Sequence, residues 1–128
     1  MRMSVNRGLG LWLPPLALMA LIFYLSAQPD LSSGLGGIDL ILRKIVHFAT
    51  YGLLCLLLWR PLRTVTTPGR AIALAFAIAS AYAISDEWHQ TFVEGRHGTP
   101  VDWLIDTAGA AVVALRLRAV GSRRRVAS

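Results

Sequence analysis

The sequence has little negative charge, one cysteine and one lysine. Seven of its 128 residues are acidic against 13 basic ones, and Lys44 is the sole lysine. The single cysteine, Cys55, cannot form an internal disulfide, and in the apolar run GLLCLLLW it lacks the partners of a metal site. Charged residues make up only 16% of the chain and hydrophobic residues 55%. This balance is rare in a soluble domain and favours a membrane protein.

The excess of basic residues does not point to nucleic acid. The formal net charge is +6, but the arginines lie between apolar runs rather than along one polar face of a soluble helix. We therefore expect no nucleic-acid partner. The length suits one domain, which we predict to span residues 1–128.

Four apolar segments predict an all-α polytopic membrane protein, with four transmembrane helices in a compact bundle. The predicted helices cover about residues 9–25, 40–59, 70–90 and 101–117. Each approaches the roughly 20 residues that a helix needs to cross the hydrocarbon core, and helices satisfy their own backbone polar groups in lipid. The connections 26–37, 60–69 and 91–100 contain turn-forming residues. A basic tail, residues 118–128, is predicted to be disordered.

The basic residues predict an orientation. Ten of the 13 fall at the termini or in the second connection: Arg2, Arg7, Arg60, Arg63, Arg70, Arg116, Arg118, Arg123, Arg124 and Arg125. Because positive charge is retained inside, both termini should be cytoplasmic, in a multi-pass protein of the bacterial cytoplasmic membrane. A cleaved leader ending before Gln28 is the rival interpretation of the first segment. Its apolar run is long for a leader, and leucine is a poor residue three positions before the cut.

The acidic residues and histidines all fall at the opposite, outer end. They are Asp30, Asp39, Asp86, Glu87, Glu94, Asp102 and Asp106, with His47, His89 and His97. A rise of about 1.5 Å per residue places Lys44, Asp86 and Asp106 each about 6 Å inside its predicted helix. Charge at that depth is costly unless the groups pair or face water. Three helices therefore deliver polar groups to one shallow layer.

Spacing groups these residues into a candidate site. Lys44, His47 and Tyr51 share one helix face, and Asp102 and Asp106 share another that Gly109 and Ala110 continue. Small residues there should allow close helix approach. The candidate catalytic residues are Lys44, His47, Glu87 and Asp102, and the candidate substrate-binding residues are Tyr51, Asp86, Gln90, Arg96 and Asp106.

These residue types suggest roles. Lys44 and Arg96 would hold a phosphate or pyrophosphate, and His47, oriented by Glu87 or Asp102, would act as general acid or base. Taken singly, each also has a structural interpretation, Lys44 as a side chain that reaches the headgroups and Asp102 as a helix N-cap. The motifs G-x-S-x-G and H-E-x-x-H are absent, so we predict no metal and no other cofactor. A metal held by His47, Glu87, Asp102 and Asp106 is the minor alternative.

At these positions the chain resembles the VanZ-like family of small bacterial membrane proteins. The resemblance rests on an ordered set: Trp12 and Pro14, IFYLSAQP, KIVHFATYGLL, DEWHQTF, EGR and DWLIDTAGA. It implies an integral membrane protein of four helices. The founding member is associated with resistance to teicoplanin, a glycopeptide acting outside the membrane, which implies a lipid-linked or glycopeptide ligand at the outer face. Where the family often has asparagine, this chain has Asp106.

Three functions compete at this point. The first is an outward-facing enzyme or binding site for a cell-envelope lipid or lipid-linked phosphate. The second is a non-catalytic membrane protein that alters envelope composition or antibiotic access through protein partners. The third is a small ion-coupled carrier built by oligomerisation, which four short helices without an inverted repeat disfavour. Membrane lipids are the expected partners, and the sequence leaves the oligomeric state open.

Overall fold

The computed structural model describes residues 5–26, 37–92 and 100–127, and these form four helices with no strand among them. The helices are α1 (Val5–Ser26), α2 (Gly37–Leu62), α3 (Pro68–Gln90) and α4 (Pro100–Ala127). α2 packs against the other three, and α4 packs against α2 and α3. The prediction of an all-helical protein with four helices is confirmed.

Three of the helices are long and apolar enough to cross a membrane. The candidate spans are Arg7–Ser26, Ile41–Leu62 and Pro68–Gln90. α4 is longer than any of them, but two acids lie near its start and arginines recur from Arg116 onward, so its uncharged part covers only residues 107–115. Crossing by the fourth helix therefore stays a prediction.

Several helix ends differ from the sequence prediction. α1 includes Ser26, α2 continues through Pro61 to Leu62, and α4 continues to Ala127, where a disordered tail was predicted. Membrane helices tolerate an internal proline because neighbouring groups satisfy the freed carbonyls. The arginines and alanines of the tail are strong helix formers, so the last turns of α4 remain helical.

α3 presents a strip of small residues to the core. Ala71, Ala75, Ala79 and Ala83 recur every four residues, and each is fully buried. The i, i+4 spacing places them on one helix face, and their short side chains let neighbouring helices approach closely. Cys55 is also fully buried in this core, where a free cysteine packs as a small apolar residue.

α2 and α4 approach each other closely at Gly109. A Cβ atom there would lie 2.8 Å from the carbonyl carbon of Phe48 and 3.1 Å from its Cα, both backbone atoms. Gly52 lies on the same contact, because its own Cβ would meet Val113 at 3.1 Å and the Gly109 carbonyl oxygen at 3.2 Å. The prediction that small residues permit close helix approach is confirmed at Gly109. This contact sets the spacing of α2 and α4 beside the polar residues.

Candidate functional site: a buried cluster of one histidine and three acids

One histidine and three carboxylates from α2, α3 and α4 meet inside the bundle. His47, Asp86, Glu87 and Asp106 each offer one nitrogen or oxygen atom, and these atoms lie within 4.8 Å of one another. We call these residues the four-residue cluster. The three acids are buried and His47 is half-buried. The end of α3 and the first turns of α2 and α4 therefore lie at the same end of the bundle.

The clearest contact in the cluster joins His47 to Asp106. Nδ1 of His47 lies 3.0 Å from Oδ1 of Asp106, and the Asp106 side chain is fully inaccessible while that of His47 is 25% exposed. The sequence had suggested Glu87 or Asp102 as the residue that orients His47. In the structure, the carboxylate hydrogen-bonded to the imidazole is that of Asp106, one turn deeper in α4 than Asp102.

Asp86 is held by two hydroxyl groups from other helices. Ser26 donates to Oδ1 of Asp86, and the Tyr51 hydroxyl donates to Oδ2 at 3.0 Å. Both carboxylate oxygens of this buried acid are thus hydrogen-bonded, as a buried carboxylate requires. These two bonds tie the ends of α1 and α3 to the middle of α2.

Ser26 is the site residue that the sequence prediction missed. It was assigned to the first connection, whereas it is the last residue of α1 and is buried. Its only signal was its place in IFYLSAQP, one of the motifs that carried the family resemblance. A serine at the end of an apolar run otherwise looks like a loop residue, because serine is common in turns.

Polar contacts also fix α3 against its neighbours just inside this end. The hydroxyls of Ser80 and Thr107 are 3.1 Å apart, and Nε1 of Trp103 donates to the Ser80 carbonyl oxygen at 3.2 Å. The Tyr82 hydroxyl donates to the Met19 carbonyl oxygen at 2.5 Å. Interhelical bonds of this kind are each worth about 0.6 kcal/mol on average in a membrane protein. Together they favour one register for the helices that carry the cluster.

The remaining candidate residues lie around the cluster or outside the described residues. Gln90 is buried, one turn after the two acids of α3, and Asp102 is half-buried, one turn before Asp106. Lys44 is half-buried on α2, one turn before His47 and so nearer the end of the bundle. Arg96 falls within residues 93–99, outside the described part of the chain. The structure therefore brings together five of the nine candidates: His47, Tyr51, Asp86, Glu87 and Asp106.

When its three acids are ionised, the cluster carries a surplus of negative charge in a weakly polar interior. Three buried carboxylates and one imidazole face one another, and like charges at such distances are destabilising unless protons or a cation compensate them. Oδ2 of Asp106 is buried and has no hydrogen-bond partner among the residues that the structure describes. Such an atom is costly to keep in a folded protein. The arrangement suits the handling of a proton or a cation better than simple helix packing.

Comparison with known proteins gives one match. A sequence model of the family described as VanZ/LLP1 matches residues 11–120, which include all four helices in whole or in large part. No curated protein and no solved structure matches the chain.

Proposed function

Since the chain belongs to the VanZ/LLP1 family of membrane proteins, we propose that its polar bundle end binds the phosphate group of a cell-envelope lipid on the extracytoplasmic side. The observation that carries the proposal is the convergence of His47, Asp86, Glu87 and Asp106 in a chain whose other buried residues are mainly apolar. Ionisable groups inside a membrane protein are expensive and most often mark a ligand or ion pathway.

The proposed orientation follows from the distribution of arginine. Basic residues are retained on the cytoplasmic side, and Arg60, Arg63 and Arg70 flank the connection between α2 and α3, at the end opposite the cluster. We propose that α4 also crosses, so that both termini lie in the cytoplasm. Its packing along α2 and α3, with Asp106 beside His47, supports four crossings.

The phosphate would be held at the rim of the cluster rather than among its carboxylates, which repel an anion. Arg43 and Lys44 are both half-buried on α2, one turn nearer the end of the bundle than His47. An ammonium or guanidinium bonded to phosphate forms a charge-assisted hydrogen bond, stronger than one between neutral groups. A lipid standing in the outer leaflet would place its headgroup at this level while its tail lies along the apolar helices.

His47 would add acid–base chemistry to this site. With Nδ1 directed at Asp106, the ring nitrogen Nε2 is the one left to take a proton from water or give one to a leaving oxygen. The buried carboxylate holds the ring in one orientation and stabilises the imidazolium that such a step forms. The same geometry supports hydrolysis of a phosphate ester or reversible binding alone.

Binding is tested in nanodiscs of neutral lipid with a short-chain polyprenyl phosphate as the probe. The readout is the rise in the protein's melting temperature as the probe is added. Lys44→Gln should weaken binding about tenfold or more, because a hydrogen bond to a charged group is worth about 1.5–3 kcal/mol. Arg70→Gln, which removes one positive charge at the opposite end, is the matched control. Wild-type affinity in Lys44→Gln, His47→Gln, Glu87→Gln and Asp102→Asn would end the proposal.

One observation favours a second candidate, a non-catalytic protein that acts through partners. Both oxygens of Asp86 are occupied by bonds to α1 and α2, as expected of a group that joins helices. If the charges serve only to join helices, a double variant that combines Lys44→Glu with Glu87→Lys should restore the cellular function that each single variant loses. A binding site for phosphate should not tolerate that exchange.

The proposed site also suggests an effect on glycopeptide susceptibility. A protein that binds or alters an envelope lipid at the outer face changes the surface on which teicoplanin acts. Deletion and re-expression should then shift the inhibitory concentration of teicoplanin, and His47→Gln should fail to complement. If teicoplanin susceptibility is the same in all strains, this protein does not contribute to the resistance suggested by its family.

A further inference from the structure

We propose that the four-residue cluster is a binding site for one divalent transition cation, of the Mn²⁺ or Zn²⁺ type. His47, Asp86, Glu87 and Asp106 would be its protein ligands. The sequence predicted no metal, and nothing in the lipid-phosphate proposal requires one. The inference rests on the distances within the cluster and on the hydrogen bonding of one oxygen atom, Oδ2 of Asp106.

The distances suit a single ion. The four candidate ligand atoms lie within 4.8 Å of one another. Around a cation with bonds of about 2.1 Å, neighbouring ligands are about 3 Å apart and opposite ligands about 4.2 Å. Small side-chain rotations would have to shorten the longest of the present separations to reach that range.

The second observation is Oδ2 of Asp106. The Asp106 side chain is fully buried, and this oxygen has no hydrogen-bond partner within the described parts of the chain. An acceptor in that state is costly. A cation in the cluster would supply the missing interaction. Nδ1 of His47 and Oδ1 of Asp106 are 3.0 Å apart, the separation of neighbouring ligands around one ion, so the cation would take the place of the proton between them and bind both Nδ1 and the Asp106 carboxylate.

The hydroxyls around Asp86 fit the same interpretation. Ligating carboxylates are usually hydrogen-bonded by outer groups that hold their orientation. Ser26 and Tyr51 occupy that position at Asp86. Their bonds leave the carboxylate fixed, and each carboxylate oxygen has a further lone pair with which to bind a cation.

Charge and ligand type indicate which cation. A divalent ion offsets most of the negative charge of three ionised carboxylates. Imidazole suits zinc and related transition metals, whereas carboxylates suit manganese, magnesium and calcium. One nitrogen with several oxygens therefore favours Mn²⁺ or Zn²⁺. Mg²⁺ keeps several waters and prefers oxygen ligands, so it should bind more weakly in so closed a site.

The test uses the full chain in nanodiscs of neutral zwitterionic lipid, stripped with a chelator and then titrated with Mn²⁺ alone. Loss of the free-ion electron paramagnetic resonance signal counts the bound ions, and elemental analysis after desalting repeats the count with Zn²⁺. We expect one ion per chain, with Mg²⁺ binding more weakly. His47→Gln and Asp106→Asn should weaken binding by at least about 10–100-fold, the loss typical of residues that support a metal site.

A matched variant separates this site from adventitious binding. His89→Gln changes another half-buried histidine near the same end, outside the cluster. It should bind as the wild type does. The proposal is overturned if the wild-type chain retains no ion, if Asp106→Asn binds as tightly as wild type while keeping its melting temperature, or if the control loses as much affinity as the cluster variants. No polyprenyl phosphate is present, so the result does not depend on the proposed function.

Discussion

Replacing Gly109 by alanine should force α2 and α4 apart and disrupt the cluster with them. The new Cβ would lie 2.8 Å from the Phe48 carbonyl carbon and closer still to its oxygen. Ordinary contacts between carbon atoms are about 3.5–4.0 Å, so the two helices must separate by roughly 1 Å. The atoms in the way belong to the backbone of a helix, so no change of side-chain rotamer relieves the contact.

The cost can be estimated from overpacking. Forced insertion of a methyl group into a packed interior costs about 1–3 kcal/mol, and lost contacts along the separated helices add to it. We therefore expect a fall of about 2 kcal/mol or more in the free energy of unfolding. His47 directly precedes Phe48, so the 3.0 Å contact to Asp106 should also lengthen beyond hydrogen-bonding distance.

The assay is reversible unfolding in mixed micelles with increasing dodecyl sulfate, followed by circular dichroism. Gly121→Ala is the matched control, because it makes the same change on α4 where a Cβ would meet nothing within 4 Å. That variant should be neutral or more stable, since alanine favours a helix over glycine by about 1 kcal/mol. A Gly109→Ala variant within about 0.5 kcal/mol of wild type would refute the reasoning about this contact.

Two further variants test the packing around the site. Ser26→Ala and Tyr51→Phe each remove one donor to the buried Asp86 carboxylate, and each should lower the free energy of unfolding by about 1–3 kcal/mol; unchanged stability in both would show that Asp86 does not depend on these bonds. Ala79→Leu inserts a large side chain into the fully buried face of α3 and should cost about 1–3 kcal/mol, whereas Ala77→Leu, on the exposed face, should cost little. Equal effects of the two leucines would contradict the assignment of the buried face.

The sequence was sufficient to predict the helical class and the gathering of polar groups at one end. Counting the apolar runs predicts the number of helices, because a backbone in lipid must satisfy its own polar groups and a helix does so. The i, i+3 and i+4 spacings placed His47 with Tyr51 and showed that Asp106 lies a turn inside its helix. Those two patterns depend only on helix geometry, so they hold however the helices pack.

The partners of those residues were less predictable. Which acid meets His47 depends on the rotation and axial shift of α4 against α2, and these follow from the contact of Gly109 with Phe48 rather than from any local pattern. The sequence placed Asp102 and Asp106 on one helix face and suggested Asp102, not Asp106, as a residue that orients His47; only packing shows that Asp106 is the partner. Ser26 was missed for a related reason, because its role depends on Asp86 across the bundle.

α4 is the helix whose composition says least about whether it crosses the membrane. α4 packs against two helices that are apolar enough to span the membrane, yet its own acids and arginines lower its apolar character. A helix that carries the polar residues of a site loses the signal by which spans are recognised. Modification of single cysteines placed at residues 33, 65 and 128, each in a Cys55→Ser background, measures the topology. The account predicts that only the first is labelled from outside.

The most direct test of the central claim is native mass spectrometry of the protein released from nanodiscs that contain equal amounts of a polyprenyl phosphate and the corresponding polyprenol. The two lipids share one tail and differ only in the phosphate. We expect the wild-type chain to retain the phosphate in preference to the alcohol. Lys44→Gln and His47→Gln should lose this preference, while Arg70→Gln should keep it. Equal retention of both lipids by the wild-type chain would contradict the claim that this end of the bundle recognises phosphate.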